Sequence, residues 1–394
     1  MLEPRSVSSE SIRGCATSAP DASFISNGEG LAPLLARYSG DDAPALDRAN
    51  RTRSRENPTV LPYDPRQPGG VQTHTYALSR ALSDVGHDST IFAPSRPLRV
   101  SLGGTRADLA LHPLDALALR RFLRLPHDLL HIQEPLLPAV GPLALLHPSP
   151  VPTVVTLHSA EVVAHRFYRW TATLTRRLMR RADALICASP ISHQTAVPAI
   201  SYEPRIIYPC LDLAAFSAVT RNPEPNTILF VGRDEPRKGL TLLLRAIRQL
   251  PQAKLVIAGP VRHSTRQLAD GRTTFLGPIP HEEIPLLLKS ATCAAFPASG
   301  GEALGLVLIE SMAAGVPLVA SDIPGYRIAT NNGDAALLSP PNDPDALAQN
   351  LLRLLDDAQL RERLANRGRE DANRFDSHVI ARQHLDLYQS LVPA

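Results

Sequence analysis

The chain has 394 residues, of which 44% are hydrophobic and 20% charged, and its formal net charge is +3 at pH 7. This is the composition of a globular protein of about two domains, and it excludes a disordered or fibrous chain. A pI of 8.7 is too mildly basic to indicate nucleic acid as a partner. The first thirty residues lack the apolar core of a secretion signal, and no apolar run approaches the ~20 residues that span a bilayer. We therefore expect a cytoplasmic protein.

Residues 1–56 are rich in Ser, Ala, Pro, Arg and Asp and show no sustained period. This pattern predicts a disordered or loosely attached extension. From residue 57 onward, short apolar runs alternate with helical patterns, which is typical of parallel βαβ units. In residues 57–215 the predicted strands are Thr59–Tyr63, Ser89–Ala93, Leu129–Ile132, Thr153–Leu157 and Ala184–Ala188, and the clearest helices are Val71–Val85 and Tyr168–Arg181.

A second alternating series occupies residues 216–375, and a last helix falls within residues 376–394. The predicted strands are Thr227–Val231, Lys254–Ala258, Thr273–Leu276, Cys293–Phe296 and Pro317–Ala320, and the predicted helices are Leu240–Leu250, Ile284–Ser290, Leu304–Ala314, Pro344–Asp356, Gln359–Asn373 and Asp376–Leu391. The fold class is therefore α/β, with two Rossmann-like domains, each a doubly wound parallel sheet, facing a cleft. The last helix is expected to cross back to the first domain.

The strongest motif follows the strand Cys293–Phe296 and contains Gly300, Gly301, Glu302 and Glu310. The glycines allow a tight turn, and the start of the next helix favours a phosphate. Two carboxylates beside a phosphate site make sense if they bind sugar and ribose hydroxyls. The alternative is that Glu302 only caps the helix and Glu310 is a solvated surface charge.

A second motif, Gly-Arg-Asp-Glu-Pro-Arg-Lys-Gly, occupies residues 232–239 at the end of another strand. Arg233 and Lys238 would both reach the carboxyl edge of the sheet, where two cations can neutralise a diphosphate leaving group without a metal. Only three of the 41 basic residues are lysine, which indicates that a compact ammonium is needed at Lys238. The alternative is a charged loop in which Asp234 and Glu235 pair with Arg237.

Two weaker signals lie in the first half of the chain. Gly69 and Gly70 form a turn before a helix, where a backbone N–H can approach a phosphate. His158 follows the buried strand Thr153–Leu157, so it would line the cleft. Its alternative is a structural histidine.

Together these segments resemble glycosyltransferase family 4, the retaining two-domain nucleotide-sugar enzymes of GT-B architecture, over residues 59–391. The strings that carry the resemblance are Pro-Gly-Gly-Val-Gln (68–72), His-Ile-Gln-Glu-Pro (131–135), Asp-Glu-Pro-Arg-Lys-Gly (234–239), Gly-Gly-Glu (300–302), the two glutamates eight positions apart, and Met-Ala-Ala-Gly (312–315). Within the family they are most similar to the phosphatidyl-myo-inositol mannosyltransferases of actinobacteria. The chain departs from the family at Tyr-Pro-Cys-Leu-Asp (208–212), which leaves the acceptor open.

The resemblance implies a role for each matching position. Glu302 would contact the donor sugar and Glu310 the ribose, Arg233 and Lys238 would hold the diphosphate, and His158 would lie beside the anomeric carbon. The remaining positions implied in the donor site are Gly70, Leu304 and Gly305, and those implied in the acceptor site are Tyr63, Gln72 and Ser159. No metal and no cofactor is implied beyond the nucleotide-sugar donor.

The sequence thus predicts a retaining hexosyltransferase, with mannose from GDP-mannose as the expected donor. The expected acceptor is a phosphatidylinositol-type lipid at the inner face of the cell membrane. Two basic stretches with aromatic residues, 117–124 and 166–181, would meet anionic lipid; the alternative is a solvated arginine-rich face. Three other functions stay open: a UDP-sugar-dependent transferase for a small acceptor such as inositol phosphate, a catalytically silent nucleotide-sugar-binding protein, and a sugar-nucleotide epimerase.

Overall fold

A computed structural model describes residues 57–66, 69–96, 98–102, 105–109, 112–138, 140–160 and 162–392. The predicted extension, residues 1–56, lies outside the described residues. Two parallel sheets organise the rest of the chain, as the sequence predicts. Each sheet has six strands, one more than predicted, because the edge strands Arg205–Ile206 and Leu337–Ser339 are too short to give a sequence signal.

The first sheet is formed by strands from residues 59–206. These are β1 (Thr59–Val60), β2 (Ile91–Phe92), β5 (Leu130–Gln133), β6 (Thr153–Leu157), β7 (Ala184–Cys187) and β8 (Arg205–Ile206), with the antiparallel hairpin of β3 (Leu98–Leu102) and β4 (Thr105–Leu109) inserted after β2. The strand order is β2-β1-β5-β6-β7-β8, and all neighbours are parallel. Strands β5 and β6 are buried over their whole length, and β5 buries the polar side chains of His131 and Gln133 together with its apolar ones.

The second sheet uses six strands from residues 227–339. These are β9 (Thr227–Val231), β10 (Lys254–Ala258), β11 (Thr273–Gly277), β12 (Cys293–Phe296), β13 (Leu318–Ser321) and β14 (Leu337–Ser339). Their order is β11-β10-β9-β12-β13-β14, so the connections reverse direction between β9 and β12. In open α/β sheets, ligands bind at this reversal, outside the carboxyl ends of the strands.

Helices connect the strands in both halves. They are α1 (Gly70–Asp84), α2 (Pro113–Phe122), α3 (Val140–Leu146), α4 (Val162–Trp170), α5 (Ala172–Met179), α6 (Pro190–Ala196), α7 (Leu213–Ser217), α8 (Leu240–Ile247), α9 (His263–Arg266), α10 (Ile284–Lys289), α11 (Leu306–Ala313), α12 (Pro324–Ala329), α13 (Pro344–Asp356), α14 (Ala358–Ala372) and α15 (Ser377–Leu391). The single helix predicted at 168–181 is instead parts of two helices. The helix is interrupted at Thr171, whose φ of −100° and ψ of 15° are not helical.

The last helix, α15, packs against α1 and the first sheet. Ile380, Leu385 and Tyr388 of α15 share an apolar cluster with Leu78 of α1 and Val154 of β6. The chain therefore returns to the first sheet after completing the second.

Candidate active site

The loops after β9 and β12 meet at the point where the order of the second sheet reverses. After β9, a short 3-10 turn at Pro236–Lys238 leads into α8, and after β12 a glycine-rich loop leads into α11. The backbone N–H of Ser299 donates to the carbonyl of Arg237 at 2.8 Å, which ties the two loops together. The two strongest sequence motifs thus form one site.

Glu302 and Lys238 form the centre of this site. The Lys238 Nζ lies 2.7 Å from Glu302 Oε1, and Arg237 Nη1 lies 2.5 Å from the same oxygen. The Glu302 side chain is only 10% exposed. Burial opposes ionisation of this carboxyl, but the Lys238 and Arg237 cations outweigh burial and lower the pKa of Glu302. The site therefore holds an anion between two cations at neutral pH.

The other charged residues of the first loop are paired as well. Arg233 Nη2 lies 3.1 Å from Glu235 Oε1, and Arg237 Nη2 lies 2.9 Å from Glu235 Oε2. Asp234 accepts bonds from the Arg262 side chain, at 2.9 Å for Nε. The alternative interpretation of this loop is that both Asp234 and Glu235 pair with Arg237. Glu235 does so, but Asp234 pairs with Arg262 instead. The second cation beside Lys238 at Glu302 is Arg237, which the sequence reasoning did not select.

Glu310 lies about one turn inside α11. The side chain is buried, and its Oε1 lies 3.0 Å from the His281 Nε2. This hydrogen bond raises the pKa of His281 against the effect of burial. Glu310 is therefore not a solvated surface charge, since it is fixed by a histidine from the loop after β11.

Close backbone packing sets the start of α11. Gly305 precedes the helix with a φ of +88°, and a Cβ there would lie 2.5 Å from Tyr326 Cε1. A Cβ on Gly325 would lie 2.1 Å from the carbonyl oxygen of Glu302. The predicted helix start at Leu304 is wrong for this reason: the left-handed Gly305 delays the helix to Leu306, and Leu304 is buried.

Residues of the first half approach this region at the start of α1. Gly70 is the first residue of α1, and a Cβ on it would lie 3.2 Å from Leu306 Cδ1 of α11. Gln72 Nε2 donates to the carbonyl of Asp64 at 3.4 Å, and Tyr63 forms an isolated antiparallel bridge with Leu109. The structure thus brings Gly70 to the mouth of α11.

His158 follows β6, with Ser159 next to it, and its backbone N–H donates to Glu134 Oε1 at 2.7 Å. Its Nε2 lies 2.7 Å from Gln133 Oε1. The ring is 5.3 Å from that of His74, which in turn is 6.0 Å from that of His384 on α15. His158 thus belongs to a cluster of four histidines, His74, His131, His158 and His384, which is called the histidine cluster below.

Burial keeps the histidine cluster neutral. It lowers the pKa of His158 to about 3 and that of His384 to about 4, and the pKa values of His74 and His131 are also lowered by burial and by their neighbours. His384 Nδ1 donates to the Ile380 carbonyl, and its Nε2 has no hydrogen-bond partner among the described residues.

Acidification should therefore destabilise the fold. Below about pH 6.5 the unfolded chain protonates these histidines while the folded chain does not, so stability falls as pH decreases toward the folded pKa values. The slope should approach ~1.4 kcal/mol per pH unit for each histidine. We expect the denaturant midpoint to fall between pH 7 and pH 5, and to fall less in His384→Gln. The exposed His263→Gln is the control; equal slopes in all three proteins would contradict the role of burial.

Sequence reasoning selected Glu302, Lys238, Glu310 and His158 but missed their partners. Arg237, His281 and Gln133 each contact one of them from a distant part of the chain. Gln133 and Arg237 lie within strings that carry the family resemblance, whereas the only signal for His281 is its position in a strand-end loop. No helix of the described residues is both long and apolar enough to cross a membrane.

Comparisons with known proteins follow the same division of the chain. The family model "Glycosyltransferase Family 4" matches residues 68–215, and "Glycosyl transferases group 1" matches residues 214–371. The phosphatidyl-myo-inositol mannosyltransferase of Mycolicibacterium smegmatis is 31% identical over 361 residues, which cover 84% of this chain and 93% of the relative. The chain belongs to glycosyltransferase family 4. The predicted family is confirmed, and the protein is a glycosyltransferase.

Solved structures support the fold of this glycosyltransferase. The sucrose-phosphate synthase of Thermosynechococcus elongatus matches with a TM-score of 0.68 and 24% identity, covering 86% of this chain and 99% of that one. Anabaena HepE, solved with UDP and glucose, matches with a TM-score of 0.67 and 19% identity, covering 86% and 100%. The GT-B fold predicted from the sequence is confirmed.

Proposed function

We propose that this glycosyltransferase moves mannose from GDP-mannose, with retention at the anomeric carbon, to a phosphatidylinositol-type lipid at the inner face of the cell membrane. The observation that carries the proposal is the Glu302 carboxylate held by Lys238 and Arg237 at the reversal point of the second sheet. A carboxylate there can hold sugar hydroxyls, and the cations can stabilise a departing diphosphate. The identity of the relative in Mycolicibacterium smegmatis favours mannose and a phosphatidylinositol acceptor.

The proposed reaction proceeds on one face of the sugar. The acceptor hydroxyl attacks from the side of the leaving diphosphate, and a diphosphate oxygen takes its proton. In this proposal Lys238, Arg233 and the start of α11 stabilise the negative charge that develops on that leaving group. Their contribution is electrostatic and needs no covalent intermediate.

A second candidate is a UDP-sugar-dependent transferase that uses a small acceptor. The fold match to HepE, solved with UDP and glucose, favours testing it. A thermal-shift series with GDP-mannose, UDP-glucose and ADP-glucose is the direct test. We expect the largest rise in Tm with GDP-mannose, because only a bound ligand stabilises the folded state. A larger rise with UDP-glucose would replace the first candidate by the second, and binding without transfer or donor hydrolysis would indicate a silent binding protein.

Helices α4 and α5 support a lipid acceptor. Trp170 at the end of α4 is 86% exposed, and Leu174 of α5 is 69% exposed. Six exposed arginines surround them in sequence: Arg166, Arg169, Arg176, Arg177, Arg180 and Arg181. Exposed apolar side chains beside a row of cations suit an anionic membrane surface.

The single tryptophan of the chain makes this surface directly measurable. We expect Trp170 fluorescence to shift to shorter wavelength with phosphatidylinositol-containing vesicles, because the indole leaves water. Vesicles of phosphatidylcholine alone are the control. An unchanged spectrum, together with no co-sedimentation, would support the small acceptor instead.

We expect activity to survive EDTA. Lys238 and Arg237 supply positive charge at Glu302 without a metal. In the Asp-Pro-Asp string at 343–345, Asp343 caps a helix and is not proposed as a metal ligand. Its side chain accepts hydrogen bonds from the backbone N–H groups of Asp345 and Ala346 at the start of α13. Turnover with and without EDTA is the measurement. Loss of turnover that magnesium or manganese restores would contradict the metal-free proposal.

A further inference from the structure

A chain of hydrogen bonds runs from the last helix to His158. Tyr388 of α15 places its hydroxyl 2.8 Å from His131 Nδ1. His131 Nε2 lies 3.3 Å from Gln133 Nε2 and 2.7 Å from Thr156 Oγ1. Gln133 Oε1 lies 2.7 Å from His158 Nε2. Gln133 and His131 are fully buried, so no water competes for these bonds.

The chemistry of the Gln133 amide gives this series of hydrogen bonds a direction. The Gln133 nitrogen only donates, so it requires an unprotonated Nε2 on His131, and a neutral His131 then carries its proton on Nδ1, toward Tyr388. The Gln133 oxygen only accepts, so it requires a protonated Nε2 on His158. A neutral His158 therefore keeps its lone pair on Nδ1, which has no hydrogen-bond partner among the described residues.

We propose that Gln133 is a positioning residue that holds His158 in the Nε2–H tautomer, so that Nδ1 accepts a hydrogen bond from a hydroxyl of the bound sugar. This rests on the proposed function, in which His158 lies beside the anomeric carbon. His131, which is itself bonded to Tyr388, contacts the Gln133 amide nitrogen on the side away from His158. Because burial keeps His158 neutral, the tautomer rather than the charge decides which ring nitrogen can accept a bond.

The tautomer can be read without any substrate. Two-bond ¹H–¹⁵N spectra of ¹⁵N-histidine-labelled protein distinguish the two neutral forms, and the His158→Asn variant assigns the signal. We expect the Nε2–H form in the unchanged protein and a mixture of forms in Gln133→Leu. Thr156→Val is the matched control, since it removes a neighbouring bond to His131 but leaves the Gln133–His158 bond. An Nδ1–H form in the unchanged protein, or an unaltered His158 signal in Gln133→Leu, would overturn the proposal.

Kinetics test the consequence for transfer. We expect Gln133→Leu to lower kcat by about 10- to 100-fold with little change in the KM of the donor, as for a misoriented reacting group. Gln133→Glu can still accept from Nε2–H, so it should keep the tautomer and much of the activity. Its carboxylate should raise the pKa of His158, so activity should begin to fall at a higher pH on acidification, where protonated Nδ1 can no longer accept.

Failure of the Gln133 proposal and failure of the proposed function give different results. Normal turnover in Gln133→Leu with a changed tautomer would show that the orientation of His158 does not matter for transfer. Normal turnover in His158→Ala would remove the proposed role of His158 itself. Transfer of glucose from UDP-glucose would overturn the mannose donor, yet the spectra would still decide whether Gln133 fixes the ring.

Discussion

Replacing Lys238 by alanine should lower kcat by roughly 100- to 1000-fold, which corresponds to about 3–4 kcal/mol of transition-state stabilisation for one preorganised donor. The Lys238 ammonium lies 2.7 Å from Glu302 Oε1 at the reversal point of the second sheet. In the proposed function, charge on a departing diphosphate develops at this edge, and a fixed cation would stabilise it without reorganisation. Steady-state transfer of mannose from GDP-mannose is the measurement.

Two further lysine variants sharpen this test. Lys254→Ala removes an exposed lysine at the start of β10 and should leave turnover unchanged. Lys238→Arg keeps the charge but replaces a compact ammonium by a planar guanidinium, so we expect it to recover only part of the activity. Turnover near that of the unchanged protein in Lys238→Ala would remove this residue from the diphosphate site.

The two glutamates of the α11 region should affect different kinetic constants. Glu302→Gln keeps the shape of the side chain but removes the charge that favours a developing oxocarbenium ion, so the loss should appear mainly in kcat. Because Glu302 neutralises Lys238 and Arg237, its loss should not weaken binding of GDP. Glu310→Gln should weaken GDP itself, by about 1–3 kcal/mol, because the ribose hydroxyls lose a charged acceptor.

Calorimetry with GDP and with GDP-mannose on both variants separates the two roles. Glu283→Gln is the control, since Glu283 is an exposed acid on the same short turn as His281. If Glu302→Gln weakens free GDP more than Glu310→Gln does, the assignment of sugar and ribose must be exchanged.

Local sequence was sufficient for the strands that carry the site. Thr153–Leu157, Thr227–Val231 and Cys293–Phe296 have the predicted bounds, because each is a short apolar run buried on both faces of a parallel sheet. The hairpin of β3 and β4 was missed, although Gly-Gly at 103–104 between two short runs is a hairpin signal.

Contacts between distant residues account for what the sequence did not predict. The start of α11 depends on Tyr326, which leaves no room for a side chain at Gly305. Arg237 reaches Glu302 across 65 positions, and His281 reaches Glu310 across 29. No local pattern encodes such pairs, because each forms only when the strand ends are brought to one edge of the sheet.

The return of the chain to the first sheet has a mechanical consequence. The polypeptide passes between the two halves twice, and the passages run side by side: Leu211 accepts a bond from Ser377 at 2.9 Å and donates one to Phe375 at 3.0 Å. Any rotation of one half against the other must bend both passages together. Two adjacent passages favour rotation of one half about the axis that joins them and oppose rotation about a perpendicular axis. The reacting groups of the two halves would therefore approach each other along a reproducible path.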